Sequence, residues 1–331
     1  MSVMQRCVGA CRAPARLVVL MLVASLALAG CTHGSSSVPL PASTLTTTGP
    51  FPTVTGGFGD QPSIAFAKGT VPSAKLQRRV VHLGTGSALA IGDLIAADYV
   101  GQIWNGKVFE NSYRSGQAAT LQVGLGKLLT GLDSGLVGLP VGSRVELTVP
   151  PSDGYGSAGN KTEGIAGSDT LVFVLDIAKR YNGKSSADPA GLVTAQPAGL
   201  PVVSGPLSAA PLIIFPKHVA LPAKRSTFLL ARGHGAPLKQ GTAVVQYYSV
   251  NGHGSFVGST WLTGTPTSVP VGDAVDATGG VFDGLVGVPI GSRVLIVAPA
   301  AAGKTQATDT AVVAVDILDQ VTTAKRMADS S

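Results

Sequence analysis

"LVGLPVGSRV" occupies residues 136–145, and "LVGVPIGSRV" occupies residues 285–294. Eight of the ten letters agree, and both differences exchange one aliphatic residue for another. A phrase of this length recurring in one chain marks an internal duplication, and its flanks extend it. "LGTGSALAIGDLIAADY" (83–99) aligns with "RGHGAPLKQGTAVVQYY" (232–248), and "DTLVFVLDI" (169–177) with "DTAVVAVDI" (309–317). The copies are therefore residues 61–181 and residues 205–320. The opening phrase is offset by 149 positions but the final strand by only 140, so nine residues are missing from the second copy before Asp309. In the first copy that stretch is "PSDGYGSAGNKTEGIAGS" (151–168), a polar, glycine-rich loop. Such loops on an economical scaffold are where function tends to lie.

Short β-branched or alternating runs bounded by Gly and Pro read as strands: "LIAADYVGQI" (94–103), "SRVELTVP" (143–150) and "TLVFVLDI" (170–177). Between them "TGLDSGLVGL" (130–139) has room for barely two helical turns. Thr130 reads as its N-cap, and Leu132 and Leu136 share one face at i, i+4. The 43 glycines and 22 prolines, against 5% aromatic and 13% charged residues, suit turns and short strands. The expected class is α+β: two like domains, each an antiparallel β-sheet wrapped around one short α-helix.

All three cysteines (Cys7, Cys11, Cys31) fall in the first 31 residues. The remainder can therefore hold neither a disulfide nor a thiolate metal site, and the five scattered histidines have no ligand spacing. No cofactor and no metal are expected. Arg6, Arg12 and Arg16 precede an apolar run from 17 to 29, the order of a secretory signal and too short to span a bilayer. "LAGC" (28–31) resembles the lipobox of bacterial lipoproteins. That resemblance implies removal of residues 1–30, lipidation of Cys31 and an extracytoplasmic, membrane-anchored protein. Residues 31–60 then read as a flexible tether, residues 182–204 as a linker and residues 321–331 as a tail.

Three of the 24 basic side chains precede Cys31, which leaves 21 against 18 acidic ones and no basic run. Nucleic acid is not an expected partner. "APAAAGKT" (298–305) loosely fits a phosphate-binding loop, but only a few residues separate Thr305 from the next strand. No helix can open there to meet a phosphate, so nucleotide binding is not expected either.

Four blocks of the first copy, "YVGQIWNGKVFENS" (99–112), "VGLGKLLTGLDSGLVGLPVGSRVELTVP" (123–150), "GYG" (154–156) and "TLVFVLDI" (170–177), together resemble the FKBP-type peptidyl-prolyl cis–trans isomerases. The resemblance covers about residues 83–178. It implies a pocket walled by Tyr99 and Phe109, floored by Phe173, with Leu128 and Leu129 at an aliphatic pair. It further implies that Tyr155 closes over the ligand and that the Ile165 backbone N–H meets a substrate carbonyl. Glu110 stands where the family usually has Asp, and Leu132 stands where it has a floor Trp. Taken singly, Phe109, Leu129 and Phe173 read as core and Glu110 as a solvated carboxylate.

The implied chemistry is non-covalent. An X–Pro bond faces a resonance barrier of about 18–20 kcal/mol and turns over in tens to hundreds of seconds unaided. A dry apolar pocket favours the twisted, less polar amide, and a millionfold acceleration corresponds to about 8 kcal/mol of differential binding. Proline-containing polypeptides are the implied substrates, with folding of exported proteins the implied role. A non-catalytic binding lipoprotein is the alternative. In the second copy Tyr248 aligns with Tyr99, while Val257, Gly258 and Val313 replace Phe109, Glu110 and Phe173. A second fold without isomerase activity is expected.

Overall fold

In the computed structural model, residues 45–193, 195–272, 280–299 and 310–324 are described. The strands of the N-terminal part are β1 (Thr53–Thr55), β2 (Ser63–Ala65), β3 (Gln77–His82), β4 (Leu94–Ile103), β5 (Val108–Asn111), β6 (Ala119–Gln122), β7 (Arg144–Val149) and β8 (Leu171–Tyr181). Helix α1 (Thr130–Leu136) lies between β6 and β7. There follow β9 (Pro189–Val193), β10 (Val202–Ser204), β11 (Leu212–Ile214), β12 (Ser226–Gly233), β13 (Gly241–Asn251), β14 (Phe256–Ser259), the four-residue α2 (Thr260–Thr263), β15 (Thr267–Val271), β16 (Arg293–Ala298) and β17 (Ala311–Gln320).

Two large antiparallel sheets result. One runs β3-β7-β8-β4-β5 with β6 also on β4; the other runs β14-β13-β17-β16-β12-β9 with β15 also on β13. Strand β4 is buried along most of its length because it is covered on both faces. Ile95, Ala97 and Tyr99 join the core beneath α1, while Leu94 and Ala96 join a second cluster on the opposite face. This is the period-two alternation of a strand with two dry faces.

Helix α1 sits close to the sheet because Gly131 and Gly135 face Val149 and Leu147. A Cβ at either glycine would come within 2.7 and 2.6 Å of those side chains. Leu132 and Leu136 are both fully buried, as their spacing suggests. The N-cap is Leu129, without a side-chain cap, and Thr130 is the first helical residue instead. Below the second sheet the matching place is a 3-10 turn, Val281–Leu285, entered through Gly280 at φ 72°. A left-handed residue at that entry suits a tight turn better than an α-helical one.

The segments between and before the sheets are more ordered than their composition suggests. Residues 45–60, read as tether, carry β1, which pairs with β2. The Arg144 guanidinium, ion-paired with Asp176 at 2.6 Å, donates its remaining N–H groups to the carbonyls of Gly56 and Asp60. Residues 189–193, read as linker, form β9 on the edge of the second sheet, and Ala187 N–H donates to Asp316. Arg293, ion-paired with Asp316 at 2.5 Å, reaches the carbonyls of Pro206, Leu207 and Ala209. A buried charge pair requires its leftover donors and acceptors satisfied, and these loops supply the partners. Residues 321–324, read as tail, are also packed, with Val321 and Ala324 buried between the sheets. Cys31, the leader, most of 298–305 and the shortened loop of the second copy lie outside the described residues.

Candidate functional site

The site is assembled from three strands of the first sheet, helix α1 and the loops around them. Tyr99 comes from β4, Phe109 and Glu110 from β5, Phe173 from β8, and Leu132 from α1. Leu128 and Leu129 lead into α1, and Tyr155 stands between two 3-10 turns, Pro151–Asp153 and Gly156–Ala158. Tyr99, Leu128, Leu129, Leu132, Ile165 and Phe173 belong to one buried cluster, against which Phe109 and Tyr155 pack half-buried. Eight of the nine singled-out residues therefore meet in a single apolar assembly, with Phe109 and Tyr155 on its half-buried edge. Glu110 is half-buried on β5.

A local irregularity makes this possible. The β4–β5 register runs from Gly101↔Glu110 to Gln102↔Val108, so Phe109 is the extra residue of a β-bulge. A bulge re-aims side chains, and here Phe109 lies over Gly101 and meets Phe173 edge-to-face. Their centroids are 5.7 Å apart at 86°. A Cβ on Gly101 would stand 2.8 Å from Phe109 Cζ and 3.1 Å from Phe173 Cε1, so glycine lets both rings close over the strand without displacement.

Hydrogen bonds hold the frame. Tyr99 N–H donates to Ser112 Oγ at 2.9 Å, and Ser112 Oγ donates to Asp98 at 2.8 Å. Arg78 donates to the carbonyls of Gly135 and Val137 at the end of α1, and Asp133 accepts from Gly124 N–H at 2.8 Å. Tyr113 donates to Asp176 at 2.8 Å; burial and that carboxylate push its phenol well above the usual range. Glu146, on β7, is raised from 4.5 to about 7, chiefly by burial and against the opposing pull of Arg79. Its Oε1 has no hydrogen-bond partner among the described residues.

One expected donor is otherwise engaged. Ile165 N–H donates to Asn160 O at 2.8 Å, and Asn160 N–H returns the bond to Ile165 O. This two-way bridge pins the loop and leaves the Ile165 N–H unable to meet a substrate, while its side chain joins the core. The candidate donor that sequence reasoning passed over is the N–H of Leu129, the N-cap of α1. Helix starts leave such donors unsatisfied by the helix itself, and the "LLTG" before the apolar i, i+4 pair was the signal for it.

The second sheet has the same frame with different contents. Pairing across β13 and β17 sets Tyr247 opposite Val315, where pairing across β4 and β8 sets Tyr99 opposite Leu175. Tyr247 is therefore the counterpart of Tyr99, and Tyr247 N–H donates to Thr260 Oγ1 at 2.7 Å as Tyr99 does to Ser112. Tyr248, the residue aligned by sequence, lies on the opposite face against Phe256. The turn before β13 is one residue shorter, and a one-residue slip exchanges faces. Val257 and Val313 do occupy the places of Phe109 and Phe173. Tyr247 packs against Phe282, their centroids 6.3 Å apart. Among the described residues no cluster of three or more His, Cys, Asp or Glu side chains could hold a metal.

An antiparallel sheet over one short helix, with an aromatic-walled apolar assembly between them, defines the class to which the N-terminal sheet belongs. A family model described as FKBP-type peptidyl-prolyl cis-trans isomerase matches residues 86–178. The FK506-binding protein of Streptomyces anulatus is 33% identical over 119 residues, which cover 36% of this chain and 95% of that protein. FK506-binding protein 4 of Chaetomium thermophilum is 41% identical over 95 residues, 29% of this chain and 19% of that protein. Peptidyl-prolyl cis-trans isomerase FKBP10 of Bos taurus is 30% identical over 211 residues, 63% of this chain and 30% of that protein. The chain thus spans a third or less of the length of the last two. It belongs to the FKBP-type peptidyl-prolyl cis-trans isomerase family.

Proposed function

We propose that the N-terminal sheet and α1 form a working prolyl isomerase with Tyr99, Phe109, Leu128, Leu129, Leu132, Tyr155 and Phe173 around the substrate and Glu110 at its rim. The observation that carries this reading is the Phe109–Phe173 pair bulged over Gly101 within one dry cluster. Such a surface solvates a planar, polar amide poorly and a twisted one better, which is differential binding without a nucleophile. Leu129 N–H is the donor for a flanking carbonyl, in place of Ile165. Substitution of Phe109 by Ala in the full chain, assayed on an X–Pro peptide, tests it: loss of acceleration supports the reading, and wild-type activity sinks it. A wild-type chain with no acceleration at all would leave only a binding platform.

The chain as a whole reads as a tandem duplication whose second copy keeps the scaffold and not the pocket. The replacement of Phe109 by Val257 and of Phe173 by Val313 supports this, as does a likeness to FKBP10 that runs past one copy's length. The protein acts outside the cytoplasm on exported polypeptides, held to the membrane by lipid on Cys31. The lipobox-like "LAGC" supports that placement. Cys31→Ser should release the protein from membranes and abolish labelling by a fatty acid; retention of both would overturn the anchor.

A further inference from the structure

The two sheets face one another through equivalent positions. Strand register makes Thr120 the counterpart of Ser268 and Lys179 the counterpart of Asp319. Thr120 and Ser268 share a hydrogen bond at 2.8 Å, and Lys179 and Asp319 an ion pair at 2.9 Å. Contact between equivalent residues is the signature of a two-fold relation, here within one chain. Two identical copies would set like charges at the 179/319 position, and the divergence of one to Asp removes that repulsion.

Each half also sends the chain leaving its last strand onto the other. After β8, the carbonyls of Gly183 and Ser185 accept from Gln246 Nε2 at 3.2 and 3.3 Å. After β17, Ala324 N–H donates to Asp98 Oδ2 at 2.5 Å, and Thr322 O accepts from Ala118 N–H at 2.9 Å. Asp98 and Gln246 are themselves counterparts, opposite Asp176 and Asp316. The exchange is reciprocal, but only one arm leads to an aromatic pocket.

Asp98 is fully buried. Its Oδ1 takes the Ser112 hydroxyl, and Ser112 Oγ in turn takes the Tyr99 N–H. Ser112 directly follows β5, the strand that carries Phe109. A buried carboxylate needs a donor for each oxygen, so withdrawal of Ala324 N–H forces Asp98 to turn or to take up a proton, and either change disturbs Ser112. We infer that residues 321–324, the strap leaving the second half, set the pocket wall of the first, with Ala324 and Asp98 as positioning residues for isomerisation. This rests on the isomerase reading for its consequence, though not for its geometry.

Two full-length variants test it. Ala324→Pro removes the N–H donor, and Asp98→Asn turns a donor toward it without changing size. The readouts are kcat/KM on an X–Pro peptide and hydrogen exchange at the Tyr99 amide, with the Tyr247 amide as internal control. The expected result is a loss in kcat/KM of about fivefold or more, the lower end of usual site-to-site coupling. Tyr99 exchange should quicken while Tyr247 exchange does not. Unchanged Tyr99 exchange in both variants overturns the inference, and so does equal quickening at both tyrosines. Quickened Tyr99 exchange with unaltered kcat/KM overturns the link to the pocket. A wild-type chain without isomerase activity refutes the functional reading separately, and the Tyr99 exchange still decides whether the strap holds the wall.

Discussion

Gly101→Ala probes the pocket at its tightest point. The new Cβ would lie 2.8 and 2.9 Å from Phe109 Cζ and Cε2 and 3.1 Å from Phe173 Cε1, where carbon pairs prefer about 3.5–4.0 Å. One ring must withdraw by roughly 0.5–1 Å on that scale. Phe173 is locked in the core and Phe109 is half-buried, so Phe109 moves outward. Two effects on stability oppose each other. Overpacking costs about 1–3 kcal/mol, whereas replacing Gly by Ala inside a strand recovers about 0.5–1 kcal/mol of backbone entropy. The net loss is at most about 2.5 kcal/mol, a few degrees in Tm for a domain pair of this size. Activity should suffer more, because the edge-to-face pair belongs to the proposed substrate surface; a fall in kcat/KM of about tenfold corresponds to about 1.4 kcal/mol of transition-state binding. The assay is isomerisation of an X–Pro peptide alongside thermal unfolding. Phe109→Leu in the Gly101→Ala background should relieve the clash, so the two losses in stability should not add. Wild-type activity and Tm in Gly101→Ala would refute the placement of Phe109 over Gly101.

Further perturbations follow from the same geometry. Arg144→Met leaves the buried Asp176 carboxylate without its counter-charge and releases the hairpin carbonyls of Gly56 and Asp60, so urea unfolding should show a loss of about 3–5 kcal/mol. Glu146, raised from 4.5 to about 7 by burial, keeps its proton in the folded state where the unfolded chain has lost it. Stability should therefore fall as pH rises from 4.5 to 7, by about 3 kcal/mol in all, and Glu146→Gln should remove that slope in urea midpoints measured across the window. Tyr155→Ala should lower kcat/KM with little change in Tm, because the ring packs on the rim of the core and not within it; equal loss of both would mark it as a structural residue.

The scaffold was legible because a repeated phrase fixed the register and short β-branched runs bounded by Gly and Pro fixed the strands. The pairing of Leu132 with Leu136 came out of their spacing, whereas the grouping of Tyr99, Phe109 and Phe173 came from the family resemblance alone. Tyr247 was missed because a one-residue deletion near Gly241 leaves the tyrosine pair alignable two ways, and only strand pairing shows which ring faces inward. The hairpins were missed for another reason. "FPTVTG" (51–56) and "LPVVSG" (200–205) repeat at the same offset of 149, but their composition reads as linker. Their order comes from buried Arg144 and Arg293 collecting carbonyls, which no local pattern reveals. Ile165 is a third case: its residue type fits the family position, yet the bridge to Asn160 that occupies its N–H is a property of loop geometry.

One active site in two like folds is the central claim. The most direct measurement is the isomerisation rate of an X–Pro peptide with the full chain carrying Phe109→Ala and Tyr155→Ala together. The account predicts a rate indistinguishable from the uncatalysed one, since the second sheet has Val257 and Val313 where the first has Phe109 and Phe173. Acceleration retained in the double variant would place the activity elsewhere in the chain and contradict it.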